Sequence, residues 1–329
     1  MGHTPYRAPA WPGLKPARPI YAPAHPDTAE AIRAALGVTA PVFSLKNVGG
    51  ASATFRIDAP APLFVKLVSP ERWSELREAE LIASWLVEHG APAIAARSLD
   101  PPQLPTGEFV VVYPFAAGRP PSPSSDARAV GQGIGHLHAA LTSHPNVADW
   151  QERTDRRFDR LVAIRAALAT GDVAAGPKPD ELRTLASDRS LSFLPGAHHA
   201  GPARPLHGDL NIFNIVIEKG AACFIDFEDA VHSVLSVEND LALACERVIL
   251  VQESDDAAAK SAIDALLGGY AEAGGDAVNR RALADVLIGL SLRSLCTLAL
   301  IDQGGRDAAE WNKFFGLLES ARRRRAVFD

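Results

Sequence analysis

The sequence predicts an α+β fold with two lobes, a small antiparallel sheet with one helix followed by a larger and mostly helical lobe. Short apolar runs bounded by glycine and proline, which are typical of strands, are concentrated in residues 41–117. Residues 118–329 carry mainly long stretches with the apolar spacing of helices. A run rich in proline and serine at residues 120–125 lies where the two patterns meet, as expected for a linker between lobes.

The composition limits the function classes that the chain can belong to. Its 329 residues are enough for two lobes with a core, and contents of 47% hydrophobic and 22% charged residues are ordinary for a globular protein. A net charge of −6 argues against nucleic acid as a partner. Because no apolar run approaches the length of a membrane span and the N-terminus lacks a signal-peptide core, we expect a cytoplasmic protein without a membrane partner. The three cysteines lie in apolar runs without Cys-x-x-Cys spacing, which predicts buried thiols.

Residues 1–40 are predicted to form a proline-rich extension and one short helix. Seven prolines within residues 1–26 favour extended backbone, either as a flexible arm or as a strap along the body. The helix is expected to begin at Asp27 or Thr28, which can cap it, and to end at Gly37.

Two strands are predicted on either side of a turn of small residues, over residues 42–48 and 53–58. The turn has the sequence Gly-Gly-Ala-Ser at residues 49–52. It is either a plain hairpin turn or a lid whose backbone N–H groups cover phosphates, with the Ser52 hydroxyl as a further donor.

A third strand over residues 63–68 carries Lys66 inside an apolar run. A buried lysine without a partner is costly, so Lys66 is expected either to face solvent on an alternating strand or to contact an anionic ligand. A helix over residues 71–88 and a further strand over residues 108–113 are predicted to follow.

The middle of the chain contains the residues on which a functional prediction can be based. Two short apolar runs, at residues 215–217 and 223–225, flank a Glu-Lys-Gly turn and predict a tight hairpin. The hairpin would bring Asn214 and Asp226 together at one end, with Asp209 on the loop before it. Phosphoryl transfer needs such a set, because one carboxylate can face the acceptor hydroxyl while an amide oxygen and a second carboxylate hold Mg²⁺ against the nucleotide phosphates. The alternative is an ordinary hairpin with three polar residues on its surface.

This stretch resembles the aminoglycoside phosphotransferase and choline kinase superfamily, which includes homoserine kinase type II and has a protein-kinase-like fold. The resemblance covers roughly residues 42–325 and is closest at two family motifs, HGDxxxxN and IDF. Where many relatives have a second histidine in the first motif, this chain has Asn211. The matching residues are His207, Gly208, Asp209, Asn214, Ile225, Asp226 and Phe227.

The resemblance implies a role for each residue of the loop and hairpin. Asp209 would orient the acceptor hydroxyl and accept its proton, while Asn214 and Asp226 would hold Mg²⁺. His207 would support the loop structurally. Asp240 matches a family position whose carboxylate braces the catalytic loop from the next helix.

The same resemblance implies how the first lobe would bind ATP. Lys66 would bridge the α- and β-phosphates, held by an ion pair to Glu78 of the following helix, with Glu80 as the alternative partner. Adenine would bond to backbone groups of the hinge near Tyr113 and Phe115. Residues 41–117 would then form the first lobe and residues 118–329 the second.

The second lobe is expected to consist largely of helices, with His136 and His138 as structural histidines. Only 14 residues separate Asp226 from Asp240, too few for the activation segment of a protein kinase. The acceptor is therefore expected to be a small molecule and not a protein. The helices are predicted over residues 126–141, 155–169, 180–187, 241–273, 277–303 and 306–325.

The predicted function is that of an ATP- and Mg²⁺-dependent small-molecule kinase. A catalytically silent nucleotide-binding scaffold is the main alternative, although the candidate lysine and all three oxygen-bearing residues are present. The sequence does not distinguish between two classes of acceptor, an antibiotic such as an aminoglycoside and a metabolite such as an amino alcohol or a sugar. Between residues 228 and 276, 11 acidic side chains are opposed only by Arg247 and Lys260, which indicates either a solvated face or a cleft for a cationic acceptor.

Overall fold

The computed structural model describes residues 20–46, 52–194 and 202–329. Within them, the first part of the chain forms a five-stranded antiparallel sheet in the order β1-β2-β3-β4-β5. The edge strand β1 belongs to the proline-rich segment and pairs with β2, so this end of the extension lies along the body as a strap. Residues 1–19 lie outside the described residues. The strands are β1 (Ile20–Pro23), β2 (Val42–Lys46), β3 (Ala53–Ile57), β4 (Leu63–Val68) and β5 (Phe109–Pro114).

Strand β4 separates two packed layers of the first lobe. Its alternate residues, including Val65, are buried against helix α1 (Pro26–Leu36). Lys66 lies on the opposite face, paired across the sheet with Val111 of β5. Helix α2 (Pro70–Glu88) packs on that second face, so Lys66 is half-buried beneath it and does not stand on an open surface.

The segment between the lobes is attached to the later hairpin. Strand β5 ends at Pro114 and helix α3 begins at Pro123, so the predicted boundary after residue 117 falls in the connection. The amide of Arg119 donates to the Ile217 carbonyl at 3.1 Å, and the Ile217 amide donates back at 2.8 Å. This pair of bonds joins the hinge directly to the strand that follows Asn214.

The rest of the described chain is mostly helical, with two short antiparallel strand pairs, β6 with β9 and β7 with β8. Helices α3 and α7 approach closely, since a Cβ at Gly131 would lie 1.9 Å from the Leu266 carbonyl oxygen. The helices are α3 (Pro123–Thr142), α4 (Val147–Thr170), α5 (Pro179–Ser187), α6 (Glu238–Ala244), α7 (Asp256–Glu272), α8 (Ala282–Ile301) and α9 (Ala308–Arg323). The short strands are β6 (Arg204–Pro205), β7 (Ile215–Glu218), β8 (Ala221–Phe224) and β9 (Val234–Leu235).

The prediction of one helix over residues 241–273 is wrong. Helix α6 ends at Ala244 and is followed by a π-helical turn, Cys245–Leu250, before α7 begins. The break has a local cause, because the Asp255 carboxylate accepts a hydrogen bond from the Ala258 amide at 2.7 Å and caps a new helix there. The Ser-Asp-Asp sequence at residues 254–256 is a recognisable helix start within an otherwise apolar pattern.

Helix α8 contradicts the expectation that no apolar run reaches membrane-spanning length. Its 20 residues are long and apolar enough to cross a membrane by length and composition alone. However, 13 of them are buried against the surrounding helices, which makes α8 the central core helix of the second lobe.

The cysteines are free thiols among the described residues. Cys245 and Cys296 are buried as predicted, and burial raises the pKa of each thiol to about 12. Cys223 is only half-buried.

Candidate active site

The loop that carries Asp209 is held by the buried carboxylate of Asp240. This carboxylate accepts hydrogen bonds from the amides of His207, at 2.8 Å, and Gly208, at 3.0 Å, and contacts His138 Nε2 at 3.0 Å. Gly208 has φ +86°, and a Cβ at this position would lie 2.3 Å from the Ser233 hydroxyl oxygen. The predicted bracing role of Asp240 and the structural role of His138 are confirmed by these contacts.

The side chain of His207 joins this loop to the end of strand β8. Its Nε2 lies 3.0 Å from the Ile225 carbonyl oxygen and donates to it, and its Nδ1 accepts from the Asp209 amide at 3.4 Å. The ring packs against Phe227 with a centroid distance of 4.8 Å. His207 is buried and supports the loop structurally, as predicted.

The Asp209 carboxylate is held on one side by two amides. Asn211 donates to its Oδ2 at 2.8 Å, and Asn214 donates to the same oxygen at 3.2 Å. Burial raises the pKa of Asp209, and the nearby Asp229 carboxylate adds to this shift. Both amides bond Oδ2, so across the described part of the chain Oδ1 has no donor and stays open to the cleft.

Asn214 and Asp226 lie at one end of the β7–β8 hairpin, as predicted. The Ile225 amide donates to the Asn214 carbonyl at 3.1 Å, which fixes the two residues side by side. Asn214 is buried and donates through its side-chain nitrogen to Asp209, which leaves its amide oxygen as the atom that could bind a cation. Asp226 is exposed and has φ +69°, a strained backbone conformation for a residue with a side chain.

These two oxygens suit a magnesium ion. Within residues 20–46, 52–194 and 202–329, no group of three His, Cys, Asp or Glu side chains is positioned to hold a metal. Mg²⁺ does not need such a cage, because it usually takes one or two protein ligands and completes its octahedron with water and phosphate oxygens.

Glu78, the predicted partner of Lys66, forms an ion pair with another residue. Glu78 bonds Arg153 of α4, with an Nη1–Oε2 distance of 2.7 Å, and its side chain is 34% exposed. Glu80 is buried and faces the cleft, where its carboxylate accepts from the Tyr113 hydroxyl at 2.6 Å and the Ala96 amide at 2.9 Å. The geometry therefore favours Glu80, the alternative, over Glu78.

The charge of Glu80 also interacts with Lys66 of the first lobe and with Asp226 of the second. Burial raises the pKa of Glu80, while the Lys66 ammonium opposes this shift and Asp226 adds to it. The Lys66 ammonium lies 5.5 Å from the centre of the Tyr113 ring. Lys66 of the first lobe and Asp226 of the second thus lie near the same buried carboxylate.

Two residues that sequence reasoning missed connect the lobes beside this cleft. Arg72, at the start of α2, forms an ion pair with Glu228, two residues after Asp226. Burial raises the pKa of Glu228, and Asp226 adds to the rise, whereas Arg72 and Lys66 oppose it. The position of Glu228 directly after the Ile-Asp-Phe motif was a signal for it, but the sequence contained no sign of Arg72.

The remaining predicted nucleotide residues lie at the edge of the first lobe. Ser52 is half-buried just before β3, and residues 49–51 of the predicted lid lie outside the described residues. Tyr113 is engaged with Glu80 through its hydroxyl. The Phe115 amide donates to the Pro62 carbonyl at 3.0 Å, and the Phe115 ring lies 4.6 Å from the Arg56 guanidinium carbon. In this structure the Phe115 amide is therefore already used within the lobe.

A cavity of ≈ 180 Å³ opens beside Asp209. It is lined by α4, α6, the π-helical turn, α8 and α9. Three arginines and three acidic residues contribute its charges, and most of them belong to no recognisable sequence motif. These residues are Arg157, Arg247, Arg293, Asp209, Asp229 and Glu246.

Comparison with protein families and curated sequences gives two results. The profile of the phosphotransferase enzyme family matches residues 45–275, which is most of the chain. No curated protein matches the sequence significantly.

Solved structures with a similar fold cover nearly the whole chain. A macrolide 2'-phosphotransferase from Brachybacterium faecium has a TM-score of 0.57 at 17% identity, covering 86% of this chain and 96% of that one. A Plasmodium vivax ethanolamine kinase has a TM-score of 0.54 at 16% identity, with coverages of 85% and 81%. An amicoumacin kinase, solved in complex with AMP-PNP and Ca²⁺, has a TM-score of 0.52 at 17% identity, with coverages of 84% and 87%. These matches confirm the predicted bilobal fold and the predicted resemblance.

Proposed function

Because the chain belongs to the phosphotransferase enzyme family, and its fold is similar to that of small-molecule kinases, we propose that it transfers the γ-phosphate of ATP to a hydroxyl group of a small molecule. The observation that carries this proposal is the linkage of Asp209, Asn214 and Asp226. Asn214 donates to the candidate base through its side chain and is bonded through its backbone to the residue before Asp226. A base and a metal site are thereby held at a fixed separation, as phosphoryl transfer requires.

On the nucleotide side, the proposal assigns Lys66 to the α- and β-phosphates. Glu80 attracts the lysine ammonium from the floor of the cleft, and its own position is fixed by Tyr113 and the Ala96 amide. The hinge backbone after Tyr113 and the lid with Ser52 complete the proposed ATP site. The AMP-PNP and Ca²⁺ in the similar amicoumacin kinase support a nucleotide and a divalent cation as ligands here.

Asn214 would hold Mg²⁺ through its amide oxygen and Asp226 through its exposed carboxylate. When bound, Mg²⁺ neutralises charge on the phosphates of the nucleotide. Asp226 has a strained backbone and an exposed side chain, and both Asp226 and Lys66 act on the pKa of Glu80, which supports a position near the proposed phosphate site.

Asp209 is the proposed catalytic residue. Its free carboxylate oxygen would accept a hydrogen bond from the acceptor hydroxyl, orient that oxygen towards the γ-phosphorus and take its proton late in the transfer. Asn211 and Asn214 hold the other oxygen and keep the carboxylate in one rotamer. A cytoplasmic location, where ATP and Mg²⁺ are abundant, is part of the same proposal.

The direct test is a screen for acceptor-dependent ADP formation, with product identification by mass spectrometry. The panel should include amino alcohols, sugars, aminocyclitols, aminoglycosides and hydroxy acids. We expect at least one acceptor to gain a phosphate in a Mg²⁺-dependent reaction. A chain that binds Mg²⁺–ATP but transfers phosphate to none of them would instead be the nucleotide-binding scaffold.

A further inference from the structure

Arg293 differs from the other two arginines of the cavity because its guanidinium has no bonded acceptor among the described residues. Arg157 bonds Asp229 at 3.0 Å, and Arg247 lies 3.0 Å from Glu246. Arg293 is half-buried on α8, and across residues 20–46, 52–194 and 202–329 its side chain makes no hydrogen bond or ion pair. A guanidinium has five N–H donors, so one that lines a cavity without a protein acceptor is available to bind an anionic ligand.

The balance of charges in the cavity favours an anionic ligand. Asp229 and Glu246 are each matched by an arginine, and the Asp209 carboxylate is reserved for the acceptor hydroxyl in the proposed function. Burial raises the pKa of Glu246, while the neighbouring Arg247 opposes this shift. Arg293 is then a positive charge without a directly bonded counterion. Burial and Arg157 lower its pKa to about 10, although Asp229, Asp240 and Asp209 attract it at longer range, and it stays charged at neutral pH.

The acidic residues counted in the sequence do not change this balance. Of the 11 acidic side chains between residues 228 and 276, Asp229 and Glu246 line the described part of the cavity. Others are bonded to arginines elsewhere, such as Asp276 to Arg204 at 2.9 Å. A cleft for a cationic acceptor is therefore not supported by where these side chains lie.

The size and the remaining lining of the cavity restrict the acceptor further. A volume of ≈ 180 Å³ is below the roughly 300–1,000 Å³ that is usual for drug-sized ligands. On α8, Ser294 and Thr297 donate their hydroxyl hydrogens to backbone carbonyls, at 3.0 Å each, so their oxygens remain as acceptors for ligand hydroxyls. These features suit a molecule of a few carbons with several hydroxyl groups.

We propose that the acceptor is a small hydroxy compound that carries an oxyanion, either a carboxylate or a phosphate, and that Arg293 binds this oxyanion while Asp209 faces the hydroxyl. This inference rests on the proposed function. In the reaction, the hydroxyl oxygen forms a bond to the γ-phosphorus of ATP, the bond from that phosphorus to the β,γ-bridging oxygen breaks to leave ADP, and the hydroxyl proton passes to Asp209. Arg293 acts on affinity and orientation and exchanges no proton.

Matched acceptors and variants test this assignment. The acceptors are glycerate, glycerol 3-phosphate, glycerol and ethanolamine, each followed by ADP release, and the variants are Arg293→Ala and Arg293→Lys. Arg281→Ala is the control, because Arg281 is an exposed arginine at the start of the same helix, about 18 Å from Arg293 along its axis. We expect an anionic acceptor to be preferred, and Arg293→Ala to raise its KM about tenfold or more without changing the KM for ATP.

The outcomes separate this inference from the proposed function. If glycerol or ethanolamine is phosphorylated as well as the anions, and Arg293→Ala has no effect, the anionic assignment is wrong. The proposed kinase activity would remain supported. Failure to bind Mg²⁺–AMP-PNP would overturn the proposed function itself. If no compound in the panel is phosphorylated, the change in Tm on addition of glycerate or glycerol 3-phosphate is the test. A rise in Tm that is lost in Arg293→Ala and kept in Arg281→Ala supports the site. No rise in Tm overturns it. A preference for one of these two anions distinguishes a carboxylate from a phosphate.

Discussion

The two ends of the cleft are built in different ways. At the proposed nucleotide end, Asn214 and Asp226 lie on a hairpin. Together with the loop that joins it to Asp209, this hairpin spans 18 residues and is fixed by hydrogen bonds within itself and to Asp240. At the acceptor end, the three arginines come from α4, the π-helical turn and α8. Local sequence thus determines the first site, whereas only tertiary packing brings the second together.

This difference explains why a motif predicts the type of reaction better than the acceptor. A base and a metal site need a fixed separation, so the loop between them tolerates little change in length or residue type. A helix such as α8 can present a new side chain to the cavity while its buried face stays the same. Function at the acceptor end therefore has to be inferred from the lining of the cavity and not from the fold.

The largest expected effect tests whether the two ends are separable. We expect Asp209→Ala to lower kcat by about 10²–10⁴-fold, because it removes the group that orients and deprotonates the acceptor hydroxyl. Nucleotide affinity should stay within about twofold, since Asp209 contacts the metal side only through Asn214. ADP release and titration with Mg²⁺–AMP-PNP measure the two quantities.

A matched control for this variant is Asp159→Ala, which removes one exposed carboxylate from α4 outside the cavity. It should leave both quantities unchanged. Equal loss of nucleotide affinity and kcat in Asp209→Ala would show that the two ends form one inseparable unit.

The fold was predictable wherever a local pattern had one structural solution. The strand of Lys66, the helix after it and the hairpin between Asn214 and Asp226 match their predicted positions within a few residues. The helix over residues 241–273 failed because its apolar spacing continues through a cap at Asp255 that interrupts it. The π-helical turn that presents Arg247 has no sequence signal of its own.

The choice between Glu78 and Glu80 could not be made from the sequence. Residues two apart on an α-helix point about 200° apart, so only one of the two can face the cleft. Glu78 lies four residues before the buried Ile82 and looked suitable, but the structure directs it to Arg153 on the other lobe. No pattern near α2 indicates that an arginine 75 residues later occupies that side.

A pair of variants tests whether Glu80 or Glu78 supports Lys66 in nucleotide binding. Glu80→Gln keeps one acceptor oxygen for the Ala96 amide and offers an NH2 group that can donate to the Tyr113 oxygen, but it removes the charge beside Lys66. We expect a loss of about 1 kcal/mol in nucleotide binding, or roughly a fivefold weaker affinity. Glu78→Gln should leave nucleotide affinity unchanged and lower the free energy of unfolding by less than about 1 kcal/mol, as for a partly exposed ion pair. The reverse pattern in nucleotide titrations would restore Glu78 as the partner of the lysine.

The smallest expected effect concerns the pH dependence of transfer at the acceptor end. Asp209 acts as a base in its ionised form, so activity is complete above its pKa and is lost as the pH falls through it. Because burial and Asp229 raise this pKa, the acid limb of kcat should lie at a higher pH than for an ordinary aspartate. Asn211→Ala removes the 2.8 Å hydrogen bond that stabilises the ionised form and should move the limb further towards neutral pH, with kcat at high pH little changed. The exposed Asn146→Ala serves as the control. A limb that stays in place in Asn211→Ala, or moves equally in both variants, would mean that a group other than Asp209 controls the acid side of the profile.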